Sequence, residues 1–332
     1  MLDAIDSMPS ADEHARRIAA ERQHSLTKPL GSLGRLEETA LWMCAWQGST
    51  KPKLDHCQAI IFAGNHGIAA RGISAFPVDV TKQMVANFEA GGAAINQLCQ
   101  SAGAALDVHA LDLDRPTADF TNRAAMSRDE FLDDVNKGIE AIDTQADIVL
   151  LGEMGIGNTT IAAALCCGLF GDDPASWVGR GTGIDDRKLA LKAELIRIAI
   201  AFHSEYLEDP LEVMMRLGGR EQAALFGAIL KARHERIPVI LDGFVCTAAA
   251  APLERAMPGG LNHCLVAHVS AEPGHQRLLR ALDKSALLDL DMRLGEGSGA
   301  AVALSVVRSA VATHNGMASF AEAGVLNSDS CP

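Results

Sequence analysis

One arrangement recurs along this chain and limits what it can fold into. A short, continuous apolar run leads into a polar turn that holds glycine, and a helical pattern follows. "QAIIFAG" leads to "NHGIAARG", and "ADIVLLG" to "EMGIGNTT". "ASWVG" leads to "RGTGIDD" and the helical "RKLALKAELIRIAIAFH". "IPVILDGF" leads to "VCTAAAAPLERAM", and "HCLVAHVS" to "AEPGHQRLLRAL". "AALDVHALDLD" follows a helix-like stretch at 81–100. Strands that are apolar at every position are buried on both faces, and the helices between them supply the cover. The pattern predicts an α/β protein with a doubly wound, mostly parallel sheet.

The ends of the chain read differently. Residues 10–24 and 33–47 have helical patterns, with Pro29 and Gly31 between them, and 298–313 gives another helix. The expected organisation is a large α/β domain over 48–297 and a small helical domain built from both termini, 1–47 and 298–332. The tail "GVLNSDSCP" is expected to be loose. No internal repeat and no low-complexity tract interrupts this plan.

Composition removes several function classes. The formal net charge is -13 and no Lys/Arg run offsets it, which argues against nucleic acid as a partner. Aromatic residues are 4% of the chain, too few for a stacking platform. Glycine or charge breaks every apolar run well short of a membrane span. The first residues, "MLDAIDSMPSADEHARR", lack the basic and then apolar pattern of a secretory signal. None of the eight cysteines forms a C-x-x-C pair, and most have apolar neighbours. The expectation is a cytoplasmic protein with free thiols, no disulfide framework and no zinc site.

Ligands of open parallel sheets bind beyond the carboxyl ends of the strands. The polar and glycine residues at those ends are Asn65, His66, Glu153, Gly155, Gly157, Asn158, Gly179, Gly181, Asp242 and Ser270. "GEMGIGNTT" lacks the Lys-Ser/Thr of a P-loop and the third glycine of a dinucleotide fingerprint. Its glycines still allow close approach to an anion at a helix start, where Asn158 or Thr159 can cap. The other reading is a plain tight turn. "GRGTGIDDRKLALK" is a second glycine turn before a helix. Arg180 and Lys192 add positive charge there, unless each is simply a solvated surface cation.

In "LGEGSGAA", Glu296 stands between two glycines before an Ala-rich helix. It either caps that helix or acts as a base in a cleft. A serine-hydrolase elbow is excluded, because Glu296 occupies the place of its first glycine. His66 has no partner at metal-ligand spacing, which favours a structural histidine. Asp242 ends an apolar strand, where a carboxylate binds ribose hydroxyls, orients a neighbour or forms a turn.

"LTKPLGSLGRLE", "FAGNHGI", "VTKQMVANFEAGGAAIN", "GEMGIGNTT", "VGRGTGIDD", "LDGF" and "LGEGSGAA" occur in this order from residue 26 to residue 301. Together they resemble the nicotinate-nucleotide:dimethylbenzimidazole phosphoribosyltransferase family. The resemblance implies a Rossmann-like fold with a helical domain from both ends. It also implies transfer of phosphoribose from nicotinate mononucleotide to 5,6-dimethylbenzimidazole, releasing nicotinate, in assembly of the cobalamin lower ligand. It implies no metal, no separate cofactor, and a homodimer in which Lys28–Arg35 helps to wall the partner's site.

Carried over residue by residue, Glu296 matches the general base. Gly155, Ile156, Gly157, Asn158 and Thr159, with Gly181 and Lys192, match the nucleotide and phosphate end. Glu153, Asp242 and Ser270 are placed in the same cleft, and Ser74, Gln83 and Leu294 beside the base. The residues alone leave two other readings open: a nicotinamide-dependent dehydrogenase, and a nucleotide-binding module without catalysis.

Overall fold

The computed structural model describes residues 2–181 and 183–326. The strands are β1 (Cys57–Ala63), β2 (Ala105–Ala110), β3 (Ile148–Met154), β4 (Val239–Leu241), β5 (Cys264–His268) and β6 (Ala286–Leu288). They form one six-stranded sheet in the order β2-β1-β3-β4-β5-β6, and every pairing is parallel. The register sets Ala59 beside Leu150, and Leu150 beside Ile240.

Side chains of a strand point alternately to opposite faces. Ile60, Phe62, Val149, Leu151, Val239 and Leu241 enter one core, while Ala59, Ile61, Ile148, Leu150 and Ile240 enter the other. The central strands are apolar except for Gln58 in β1 and Glu153 at the end of β3, because both faces are covered.

The helices supply that cover. α1 (Leu2–Asp6), α2 (Glu13–Ser25) and α3 (Arg35–Gln47) precede the sheet. α4 (Asp79–Glu89) and α5 (Ala94–Ala102) join β1 to β2, and α6 (Arg128–Glu140) joins β2 to β3. Between β3 and β4 lie α7 (Asn158–Phe170), α8 (Asp186–Phe202), α9 (Pro210–Leu217) and α10 (Arg220–His234). α11 (Phe244–Ala256) precedes β5, α12 (Pro273–Ala281) precedes β6, and α13 (Ser298–Gly316) and α14 (Phe320–Ala323) follow it.

α10 and α11 pack on one face of the sheet, with α6 and α7 against them. α13 crosses the other face, against β3, β4 and β5, and also packs on α3 and α5. The terminal helix expected over 298–313 therefore covers the sheet as well as joining α3.

Two sequence expectations meet differences. "ASWVG" forms no strand. Its start is a 3₁₀ turn, Pro174–Ser176, in which Asp173 accepts from Ala175 N–H. Proline has no N–H for a ladder, and β3 and β4 are already neighbours, so no gap in the sheet awaits this segment. The short edge strand β6 was not expected from its polar surroundings. The tail expected to be loose lies, from residue 327 onward, outside the described residues, and Cys331 with it.

In this strand order the chain turns left from β1 to β2 and right from β1 to β3. The crevice of such a sheet opens at that divergence. α7 begins directly beyond the end of β3, which places the first glycine turn there.

Candidate active site

A cavity of about 350 Å³ lies beyond the strand ends, within the usual size of small-molecule sites. Glu153, Gly155, Ile156, Gly157, Asn158, Thr159, Gly181, Lys192, Asp242, Ser270, Ser74, Leu294 and Glu296 all line it. Gln83 does not: it is exposed on the outer side of α4. Val80 and Met84, four residues apart on that helix, face the cavity instead.

The first turn presents a helix start without a side-chain cap. α6 and α8 are capped by Ser127 and Asp185, but α7 begins at Gly157 with φ +94° and has no capping side chain. Asn158, expected as a cap, instead donates its Nδ2–H to Glu153. The end of α7 that faces the cavity thus keeps its partial positive charge for a ligand.

Lys192 approaches the same end from α8. Its residue is only 3% exposed, and Nζ donates to Thr159 Oγ1 at 3.0 Å and to Gly179 O at 3.4 Å. Burial lowers its pKa, and the charge of Glu272 partly opposes that. Glu272 also lines the cavity and accepts from Gly181 N–H at 2.8 Å, so it holds the second glycine turn beside Lys192. Arg293 Nη1 donates to Gly181 O at 3.0 Å and ties that turn to the loop before Glu296. Sequence reasoning missed Glu272. Its "SAEPG" context carries only the signal of a residue before a helix-starting proline.

The opposite wall is built around α13. Gly295, Glu296 and Gly297 all have positive φ, at +83°, +61° and +75°. For Glu296 this left-handed backbone is unfavourable by roughly 1–3 kcal/mol, a cost that folded proteins concentrate at functional sites. Asp242 holds the turn from below, accepting from Gly297 N–H at 3.1 Å and Ala300 N–H at 3.0 Å. Of the roles open to it, Asp242 therefore orients its neighbour: it caps α13. Close approach completes the fit, since a Cβ at Gly152 would lie 2.5 Å from Gly297 N.

Glu153 joins the two walls. It accepts from Asn158 in the first turn and from the Glu296 N–H in the other. Burial, and then the charges of Asp242, Glu221 and Glu296, hold its pKa well above the usual carboxylate range. Burial, and then Asp242, raise Glu296 to about 7. Burial also raises Asp242, against its backbone donors and His268, whose Nε2 lies 3.6 Å away. The cleft therefore holds carboxyls of graded acidity, with Glu296 poised to exchange a proton near neutrality.

Part of the cavity wall is apolar. Ile73, Phe76, Val80, Met84 and Leu294 form a slot without charge. The Ser74 hydroxyl accepts from Phe76 N–H at 3.1 Å, and Lys188 holds Ser74 O at 2.8 Å. An uncapped helix start, a group of carboxyls and an apolar patch thus share one cavity wall.

Comparison with known proteins identifies the family. A phosphoribosyltransferase family model matches residues 8–325. The chain is 58% identical over 318 residues to the nicotinate-nucleotide:dimethylbenzimidazole phosphoribosyltransferase of Mesorhizobium japonicum, covering 96% of this chain and 95% of that protein. It is 56% identical over 323 residues to the enzyme of the same name from Ruegeria sp., covering 97% and 96%. The crystal structure of CobT from Thermus thermophilus superposes with a TM-score of 0.88 at 39% identity, covering 95% of this chain and 99% of that one. This chain belongs to the nicotinate-nucleotide:dimethylbenzimidazole phosphoribosyltransferase family.

Proposed function

We infer that this chain transfers phosphoribose from nicotinate mononucleotide to 5,6-dimethylbenzimidazole or a related base, giving α-ribazole 5′-phosphate and nicotinate. The 5′-phosphate sits at the uncapped start of α7, with Lys192 and the Gly181 turn beside it. The base lies in the apolar slot against Met84 and Leu294. One azole nitrogen attacks ribose C1′ while the C1′–N bond to nicotinate breaks on the opposite face. That bond's electron pair stays on the pyridine nitrogen, so the leaving group departs with its ring uncharged. Attack opposite departure converts the β linkage to α. As the new bond forms, the second azole nitrogen becomes acidic and its proton passes to Glu296.

The observation that carries this reading is Glu296. A carboxyl held near pKa 7 on a left-handed turn, lining the same cavity as the start of α7 and the apolar residues, supports the role of base. Positioning supplies the rest of the rate. Glu153, its pKa raised by burial and by the neighbouring carboxyls, joins both turns. The test is to mix the pure protein with nicotinate mononucleotide and a panel of bases. Stoichiometric α-linked product and free nicotinate are expected. Their absence with every base, or reduction of a nicotinamide dinucleotide instead, overturns the assignment.

The same reading takes the chain to be a homodimer working in the cytoplasm. The segment around Lys28–Arg35 exposes Leu30 at 72% beside Val325 and Leu326, an apolar lip suited to a second subunit. The buried free cysteines suit a reducing compartment. A monomeric mass by sedimentation would remove the dimer.

A further inference from the structure

Behind the glycine turn, outside the cavity, lies a buried histidine–glutamate pair that the transfer chemistry does not use. His66 Nε2 and Glu221 Oε1 are 2.8 Å apart, and both side chains are fully buried. We propose that this pair is a positioning element for the reaction: it props the turn at Gly155 and keeps a fixed negative charge behind Glu153. Its role rests on the function proposed above.

The geometry encloses the pair in backbone. A Cβ at Gly155 would lie 2.9 Å from His66 Nε2 and 2.6 Å from Gly64 O. The turn therefore rests on the imidazole, and only glycine fits there. A Cβ at Gly64 would collide with Glu221 Oε2. Gly64 N–H in turn donates to Met154 O at 2.9 Å, the residue between Glu153 and Gly155. The ends of β1 and β3 and the start of α10 thus meet around one carboxylate. Moving it moves the residues that flank Glu153.

Stability alone is a weak reason to keep such a pair. Desolvating two charged groups is costly, and well-packed apolar side chains of similar volume are often as stable. The surroundings add to that cost. Both ring nitrogens of His66, both carboxyl oxygens of Glu221 and both ends of the Gln222 amide are buried without a hydrogen-bond partner, the 2.8 Å approach of the pair included, and each such atom calls for a reason. The reason on hand is electrostatic and local. Glu153 is faced by Asp242 at the end of β4, by Glu296 before α13 and by Glu221 on α10. His66 and His268 stand behind two of these, and Lys192 of α8 lines the same cavity. Of the three carboxyls facing Glu153, Glu221 alone lies outside the cavity wall.

The test begins with wild-type turnover on nicotinate mononucleotide and dimethylbenzimidazole. If there is none, the proposed function fails and takes this inference with it. Given turnover, Glu221→Gln keeps the shape and removes the charge. The expected result is a kcat lower by about 10- to 100-fold, the scale of a misplaced site. The fall in kcat at high pH, where Glu153 loses its proton, should move to lower pH because a repelling charge is gone. Glu221→Asp keeps the charge, so its pH profile should stay with the wild type even as kcat drops. A merely structural pair predicts a lower melting temperature with kcat and pH profile unchanged per folded molecule, and that outcome overturns the proposal. If Glu221→Gln does not fold, the double variant Glu221→Gln/His66→Gln removes both charges. A wild-type kcat in that protein also overturns it.

Discussion

Adjacent residues at the start of α10 lead into two very different sets of buried charge. Arg220 is 2% exposed, and its guanidinium is met from every side. Nη1 donates to Asp134 at 2.8 Å, Nη2 to Glu130 at 2.7 Å, and Nε to Arg115 O at 3.3 Å. Lys137 reaches the other Asp134 oxygen at 2.9 Å. In the cleft, the carboxyls of Glu153, Asp242 and Glu296 face one another. The first set pairs opposite charges and fixes α6 on α10. The second has only His268 beside Asp242, and its acidities are pushed upward instead. Buried charge that is fully paired reads as architecture. Buried charge left in conflict reads as a site, because conflict is what shifts a carboxyl into the range where proton transfer is useful.

Breaking one member of each set should have opposite consequences. The largest effect is expected for Glu296→Gln. It should bind both substrates and lose roughly 10²–10⁴-fold in kcat, the usual worth of a general base. It should fold with undiminished stability, since it removes a charge from a repelling group. Steady-state rates and urea unfolding of the same preparation check both halves. A variant near the wild-type rate removes Glu296 as the base.

Next is Arg220→Met. It leaves Asp134 buried without its partner and should cost roughly 3–5 kcal/mol of stability. Turnover per folded molecule should change little, and an intact urea midpoint would contradict the architectural role. Lys192→Ala comes third. Losing one charged donor at the phosphate end should raise the KM for the mononucleotide by roughly tenfold or more, with a smaller change for the base. An unchanged KM would place the phosphate elsewhere.

The smallest effect is in the pH dependence of stability, where the two sets act with opposite sign. Glu296 is raised from 4.5 to about 7, so the folded chain holds its proton more tightly than the unfolded chain. Its contribution is full below 4.5 and is lost as pH rises through about 7. Glu130 is lowered to about 2, first by Ser127 N–H and then, against burial, by Arg220. Its contribution is full above 4.5 and is lost as pH falls toward about 2. Urea midpoints against pH should therefore flatten between 4.5 and 7 in Glu296→Gln, and below 4.5 in Arg220→Met. The same slopes in wild type and variants would show that other groups dominate.

Much of this was legible before any coordinates. Continuous apolar runs made a sheet buried on both faces, because only helices on either side leave no polar position in a strand. Glycine turns at the strand ends marked the cleft, and Glu296 between its glycines lines it. The reading of 175–179 as a strand failed for a local reason, Pro174 with its Asp173 cap. Gln83 failed for a periodic one: a polar residue was chosen on α4, and the helix turned Val80 and Met84 inward.

What only tertiary structure decided is who faces whom. Asp242, some fifty residues before Glu296, caps α13 and so sets the angle of the Glu296 turn. Glu153 spans two turns, Glu272 holds a third, and Arg220 and Glu221 part in opposite directions from consecutive positions. Local sequence fixes backbone preference and apolar period, because those act between near neighbours. The acidity of a carboxyl depends on burial and on charges brought in from distant segments, and those appear only when the sheet gathers its strand ends in one place.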